Sequence, residues 1–206
     1  MDDDRPHRDR SLDTELSRRL FDRRVLLLGE PLEDWNSNRI CNGLLLLSLD
    51  DPRADIHLLV NSPGGSVPGM LAIRDCMRAV PNDVRTVNLG MAYSAGQFLL
   101  SSGTKGKRFA MAHSKVLLHQ GSAGIGGTAM DIAIQAEDLR ETRDTVIGLI
   151  AEDTGQDRAT VERDSRRDRW FSAHEALEYG FVDAVVGGIE DVLPDGRRVV
   201  GLGGVR

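Results

Sequence analysis

The sequence predicts an α/β fold built from repeated βαβ units. Short apolar runs alternate with longer segments whose apolar residues recur at helical spacing, and Gly or Pro marks most of the junctions between them. Only 4% of the residues are aromatic, so Leu, Val, Ile and Ala must fill the interior. A chain of 206 residues suits one domain with a substantial core.

The elements follow in order. Residues 1–12 are polar and are expected to be mobile. "RVLLLGE" (24–30) is a short apolar run stopped by Gly29 and Pro31, hence a buried strand. "LEDWNSNRICNGLLLLSLDD" has helical spacing, and "ADIHLLVNSPGG" is a second strand broken by Pro63, Gly64 and Gly65. "SVPGMLAIRDCMRAV" is again helical, with Pro68 tolerated in its first turn. "DVRTVNLG" is a strand, and "SAGQFLLSSG" is a short helix ending at Gly103. "KRFAMAHSKVLLHQG" holds two short strands with a turn near Ala112. Four glycines then fall within "GSAGIGGT" (121–128). A long helix over roughly 128–153 follows, with Ile132, Leu139, Val146 and Ile150 on one stripe and a nearly all-charged centre, "EDLRETRD". Such a helix often leaves its own domain to meet another chain. A small helix in "SAHEALEYG" and a last strand in "FVDAVV" complete a domain expected over 13–190, with a loosely ordered tail at 191–206.

The net charge of −6 offers no electrostatic reason to expect nucleic acid as a partner. Cys41 and Cys76 lie in helical patterns without CxxC or zinc spacing, and read as free thiols in a reducing compartment. No apolar run reaches the ~18 residues of a spanning helix. "MDDDRPHRDR" lacks the apolar segment of a signal peptide, so the chain is expected to be cytoplasmic.

Ser94 stands in "NLGMAYSAGQFLL", between a strand and a helix and among small neighbours. A hydroxyl there can cap the helix, or it can be a nucleophile beside unpaired N–H groups. His119 ends the strand "SKVLLH", where a general base can be presented; His7, His57, His113 and His174 compete with it. Asp168, in "RDSRRDRWF", has no distinction by residue pattern alone. "VNSPGG" (60–65) exposes backbone N–H groups at a turn that only glycine tolerates, and it is neither a dinucleotide nor a P-loop signature.

Taken together, "SPGG", "GMAYSAGQFLLSSGTKGKRFA", "HSKVLLHQ", "DIAIQAEDL" and "RRDRWFSAHEALEYGFVD", in that order, closely resemble the proteolytic subunit of the ATP-dependent Clp protease (ClpP), from about residue 19 to residue 186. The resemblance implies a crotonase-like (ClpP-type) α/β fold with a protruding handle, here about 121–153, made of a Gly-rich strand and a helix. It implies that Ser94 is the nucleophile, His119 the general base and Asp168 the carboxylate that orients it. The backbone N–H groups of Gly65 and Ala95 match the oxyanion hole. It further implies a serine endopeptidase in two stacked seven-membered rings, cutting unfolded proteins to short peptides. No metal or organic cofactor is implied. The ATP-using partner would be a hexameric Clp unfoldase of the ClpX, ClpA or ClpC type.

The chain departs from the family pattern in four places. An apolar axial segment near the N-terminus is replaced by "MDDDRPHRDRSL", and the Pro that follows "HQ" is Gly121. Arg166 stands where an acidic or polar residue commonly precedes the aspartate, beside Arg167. The outer-face pocket for unfoldase loops has an apolar floor (Leu45, Leu46, Val87, Leu89, Phe109) but His57, Leu59 and Ala79 in place of aromatic walls. Two alternatives therefore accompany the autonomous peptidase. One is a structural or conditionally active ring subunit that needs a paralogous ClpP partner. The other is a crotonase-type enzyme acting on a coenzyme A thioester.

Overall fold

The computed structural model describes residues 10–121 and 124–188. Its elements are α1 (Arg10–Phe21), β1 (Val25–Leu28), α2 (Asp34–Asp50), β2 (Ile56–Ser62), α3 (Val67–Ala79), β3 (Val84–Tyr93) and α4 (Ala95–Ser101). Then come β4 (Arg108–Met111), β5 (Lys115–Leu118), α5 (Ala129–Thr154), α6 (Arg158–Ser165), β6 (Arg169–Ser172), α7 (Ala173–Tyr179) and β7 (Ala184–Val186). The main sheet runs β1-β2-β3-β4-β7, all parallel, as the βαβ reading expects.

The feature that positions the site is a fork in β3. Its first part pairs with β4 through Thr86–Asn88, and its last part pairs with β5 through Met91–Tyr93. Asn88 bridges the branches by donating its side-chain amide to the Lys115 carbonyl, while the Met91 N–H donates to the Asn61 side chain. A register shift in β2 between Val60 and Ser62 accompanies the divergence, as bulges bend a sheet next to a site. β6 then adds to β5 antiparallel.

The principal core lies on one face, where Leu28, Leu58, Val60, Ala92, Val116 and Phe171 meet the inward stripes of α2, α3 and α4. On the other face a smaller cluster of Val25, Leu59, Val87 and Val186 is covered by Leu20 of α1 together with Phe109 and Met111. The period-2 alternation of β2 sends Ile56, Leu58 and Val60 to the first face and Leu59 to the second.

Several elements differ from the sequence reading. α1 begins at Arg10, inside the segment expected to be mobile; residues 1–9 and the tail at 189–206 lie outside the described residues. Leu12, Leu16 and Leu20 recur every fourth residue, and Glu15 is paired with both Arg18 and Arg19 one turn on, so this short charged helix has local support. The last strand is only Ala184–Val186, because Phe181 and Val182 are spent as core side chains in the connection before it. α6 and β6 occupy a charge-rich stretch that shows no clear period in sequence. On α5 the expected stripe divides: Ile150 is buried with Ile147, whereas Ile132 and Leu139 are exposed along with Met130 and Ile134. No helix among the described residues is long and apolar enough to cross a membrane.

Candidate active site

Ser94 links β3 to α4 with φ 54° and ψ −116°, a conformation that costs a non-glycine residue about 1–3 kcal/mol. The surroundings hold it there. Its N–H donates to the Leu117 carbonyl at 3.0 Å, and its carbonyl accepts from the Phe98 N–H at 3.0 Å. The hydroxyl makes no capping bond to α4, so the bland reading of Ser94 as a helix cap does not describe it.

Against this junction lies the Ser62-Pro63-Gly64-Gly65 turn. Gly64 (φ 101°) packs so tightly that an added Cβ would sit 2.7 Å from the Ser94 Cβ and 2.8 Å from the Tyr93 carbonyl oxygen. Gly65 (φ 146°) forms an isolated parallel bridge with Leu32, and a Cβ there would meet the Leu32 carbonyl oxygen at 2.1 Å. The bridge runs from the Leu32 N–H to the Gly64 carbonyl and from the Ser66 N–H to the Leu32 carbonyl. It therefore leaves the Gly65 N–H out. Ala95, first in α4, likewise has an N–H without an intrahelical acceptor.

β5 and β6 pair from Lys115↔Ser172 to Leu118↔Arg169, so the next step sets His119 opposite Asp168. Their contact is 3.4 Å between His119 Nδ1 and Asp168 Oδ1, with side chains 29% and 62% exposed. The chain after His119 is docked onto the end of α6, where the Gln120 N–H donates to the Ser165 carbonyl at 2.7 Å. Arg169 is drawn away from Asp168: it pairs with Asp164 and lies over the Phe171 ring at 4.8 Å. Arg166 reaches Glu162 at 3.9 Å, and both Arg166 and Arg167 are exposed. Of the competing histidines, His113 and His174 are exposed, His57 is buried in β2, and His7 lies outside the described residues.

The residue pattern had given no notice of two features. One is Gly64, whose close approach to Ser94 is a matter of tertiary contact. The other is a row of side chains beside the site: Tyr93, Leu117 and Trp170 are in register across β3, β5 and β6. The Tyr93 and Trp170 rings meet edge to face with centroids 4.9 Å apart, and Leu117 between them is buried yet belongs to neither core cluster. Alternation in "KVLLH" puts 115, 117 and 119 on one face, and that was the available signal.

At the positions expected to receive unfoldase loops, Leu45, Leu46 and Leu89 are exposed, while Val87, Leu59 and His57 are buried and Ala79 is exposed.

Comparison with known proteins identifies the family. A family profile described as Clp protease matches residues 8–188. The chain is 53% identical over 191 residues to ATP-dependent Clp protease proteolytic subunit 3 of Streptomyces coelicolor, covering 92% of this chain and 88% of that one. It is 52% identical to proteolytic subunit 1 of Streptomyces avermitilis over the same shares of each chain. It is 51% identical over 176 residues to proteolytic subunit 2 of Corynebacterium diphtheriae, covering 85% and 88%. With a forked parallel sheet that carries its candidate site at the fork, and with this likeness running through nearly the whole chain, the protein belongs to the Clp protease family.

Proposed function

We propose that this chain is a serine endopeptidase subunit in which Ser94, His119 and Asp168 act as a triad. The observation that carries the reading is the placement of a strained, uncapped Ser94 just after β3, whose end pairs with β5, the strand that runs on into the His119–Asp168 pair. Asp168 beside Nδ1 favours the tautomer with its proton on that nitrogen, which leaves Nε2 to take the Ser94 proton. Ser94 Oγ then attacks the substrate carbonyl and forms an acyl-enzyme, which water, deprotonated by the same imidazole, hydrolyses. The Gly65 and Ala95 N–H groups suit the oxyanion, and preorganised donors of this kind supply several kcal/mol of transition-state stabilisation.

The substrates are unfolded polypeptides, delivered by a Clp-type ATPase into a chamber formed by two stacked seven-membered rings. The family membership supports this assembly, as do the apolar residues left uncovered on α2 and α5 in the single chain. A second reading, a ring subunit that becomes active only beside a paralogue, is favoured by the long His119–Asp168 contact and the exposure of Asp168. A contact of 3.4 Å is loose for a charge-assisted hydrogen bond, and a neighbouring subunit could tighten it.

A fluorophosphonate probe on the purified chain separates these readings. Rapid labelling at Ser94, lost in Ser94→Ala, is the expected result for the autonomous peptidase; labelling only after a paralogue is added supports the second reading. Peptide hydrolysis that survives Ser94→Ala would sink the triad.

A further inference from the structure

Asp168 is followed at once by Arg169, and Arg163, Arg166 and Arg167 precede it. A guanidinium can take a carboxylate through two parallel bonds, so each of these arginines is a rival to His119 for Asp168. The fold gives Arg169, which directly follows Asp168 in β6, a different partner. Its guanidinium pairs with Asp164 in the last turn of α6. It also lies over the Phe171 ring at 4.8 Å and the Tyr179 ring at 5.5 Å, where cation–π attraction holds it. Those rings are fixed in turn: Tyr179 stacks on Phe181 with centroids 4.6 Å apart, and Phe171 meets both edge to face. Asp164 is only 9% exposed, and it accepts from the Tyr179 hydroxyl at 3.3 Å and from Arg163 Nε at 3.2 Å. Burial and the Asp164 charge push the Tyr179 phenol up to about 12, so it remains a donor to that carboxylate.

We propose that Asp164 is a positioning residue of the candidate site: by holding the Arg169 guanidinium on the core side of β6, it leaves the Asp168 carboxylate to His119. The proposal rests on the triad reading of Ser94, His119 and Asp168. Alternation in β6 puts Arg169 and Phe171 on the core face, and Trp170 with the preceding Asp168 on the face of His119. The Asp164–Arg169 pair spans the Arg166–Asp168 connection and closes it from the core side. Among the described residues β6 pairs with β5 alone, so its other edge is open. An unclamped Arg169 can swing round that edge to Asp168, neutralise it and draw it off the imidazole. Arg166 reaches Glu162 instead, and Arg166 and Arg167 are both exposed, where solvent and salt screen them. The long 3.4 Å contact between His119 and Asp168 is the kind that such a competitor displaces.

The test measures kcat and KM for a peptide substrate, and the rate of fluorophosphonate labelling mapped to Ser94, on the assembled protein. Labelling is read at Ser94 itself, so a paralogous subunit can be present where turnover requires one. Asp164→Asn should lower kcat and labelling by about tenfold or more with KM within about twofold, since Asp164 touches no substrate. The variant is expected to assemble, because the released guanidinium is already 46% exposed and can be solvated. Arg169→Gln removes the rival cation and should stay within about threefold of the parent; added to Asp164→Asn, it should restore most of the lost rate. A clamp that served the fold alone would leave the double variant at least as impaired as Asp164→Asn. Parental kcat in Asp164→Asn, or no recovery in the double variant, would overturn the proposal. Should Asp164→Asn not assemble, Tyr179→Phe withdraws one donor from the same carboxylate. It should show a smaller loss of kcat that Arg169→Gln cancels, and a parental kcat, or a loss that Arg169→Gln fails to cancel, would overturn the proposal. Asp168→Asn, measured alongside, separates this proposal from the reading beneath it. If Asp168→Asn keeps the parental rate, the triad fails and the positioning role with it; if it loses the rate while Asp164→Asn keeps it, the positioning role alone fails.

Discussion

Asp153 and Asp168 are both carboxylates beside basic side chains, and the protein treats them in opposite ways. Asp153, at the end of α5, has a side chain only 2% exposed. It accepts from Arg74 at 3.1 and 3.3 Å, from Arg78 at 2.8 Å and from the Ser102 hydroxyl at 3.0 Å. The Arg108 guanidinium donates to its carbonyl at 2.7 Å and also pairs with Asp183. This network ties α3, α4, α5 and β4 together. Asp168 is 62% exposed, and its ion-pair partner among the described residues is His119, at 3.4 Å. Breaking a buried ion pair is strongly destabilising, whereas a group proposed to steer an imidazole needs only the right direction. The contrast teaches that the rigid ion cluster and the candidate site are separate constructions, joined through β3 and α4.

The largest expected effect comes from breaking the exposed partner. Asp168→Asn should lower kcat/KM for a peptide substrate by about 10³–10⁴-fold, with stability within about 1 kcal/mol of the parent. A loss below about tenfold would mean that another group orients His119. Oligomer size measured alongside separates a catalytic from an assembly defect.

Breaking the buried partner should reverse that pattern. Asp153→Ala leaves the buried Arg74 with only a longer, 3.7 Å contact to the exposed Glu152, and should cost about 3–5 kcal/mol in denaturant unfolding. Any loss of peptidase activity should then track the folded fraction. A variant that stays fully folded and loses its turnover would show that the two regions are coupled after all.

A smaller effect is expected at Asp183. Burial alone would raise its pKa, but the bond and charge of Arg108, with the Arg108 and Gly106 N–H groups, outweigh burial and hold it below the ordinary carboxylate value. The folded pKa is depressed. Its stabilisation is therefore present above the unfolded value of about 3.9 and lost as pH falls through the lower folded value. The stability gap between parent and Asp183→Asn should narrow below about pH 4. An unchanged gap over that range would assign the effect to packing.

The smallest belongs to Asp144, paired with Arg143 at 2.8 Å on the exposed flank of α5. Asp144→Asn should move the thermal midpoint by less than about 2 °C, the exposed counterpart without a catalytic role.

Much of this was legible in the residues. Gly and Pro punctuation with alternating periods gives the βαβ order, because each element must show its buried face in its own period. The motifs around Ser94, His119 and Asp168 carried the family. The residue pattern could not distinguish Asp168 from its charged neighbours, since a carboxylate in "RRDRW" looks solvated until β6 is known to pair with β5. Nor could it find α1, whose apolar stripe is sparse, or separate the two halves of α5.

What the sequence by itself determined, then, is the local order: which segments are strands and helices, where glycine permits a turn, and which residue types stand at the ends of strands. Tertiary structure alone decided which ends meet. The fork in β3 sends β5 away from β4, and that divergence brings His119 and Asp168 together beside the same strand end that holds Ser94. Strand pairing between distant segments, and the contact of Gly64 with Ser94, depend on burial and hydrogen bonds summed over the whole sheet, and no local period records them.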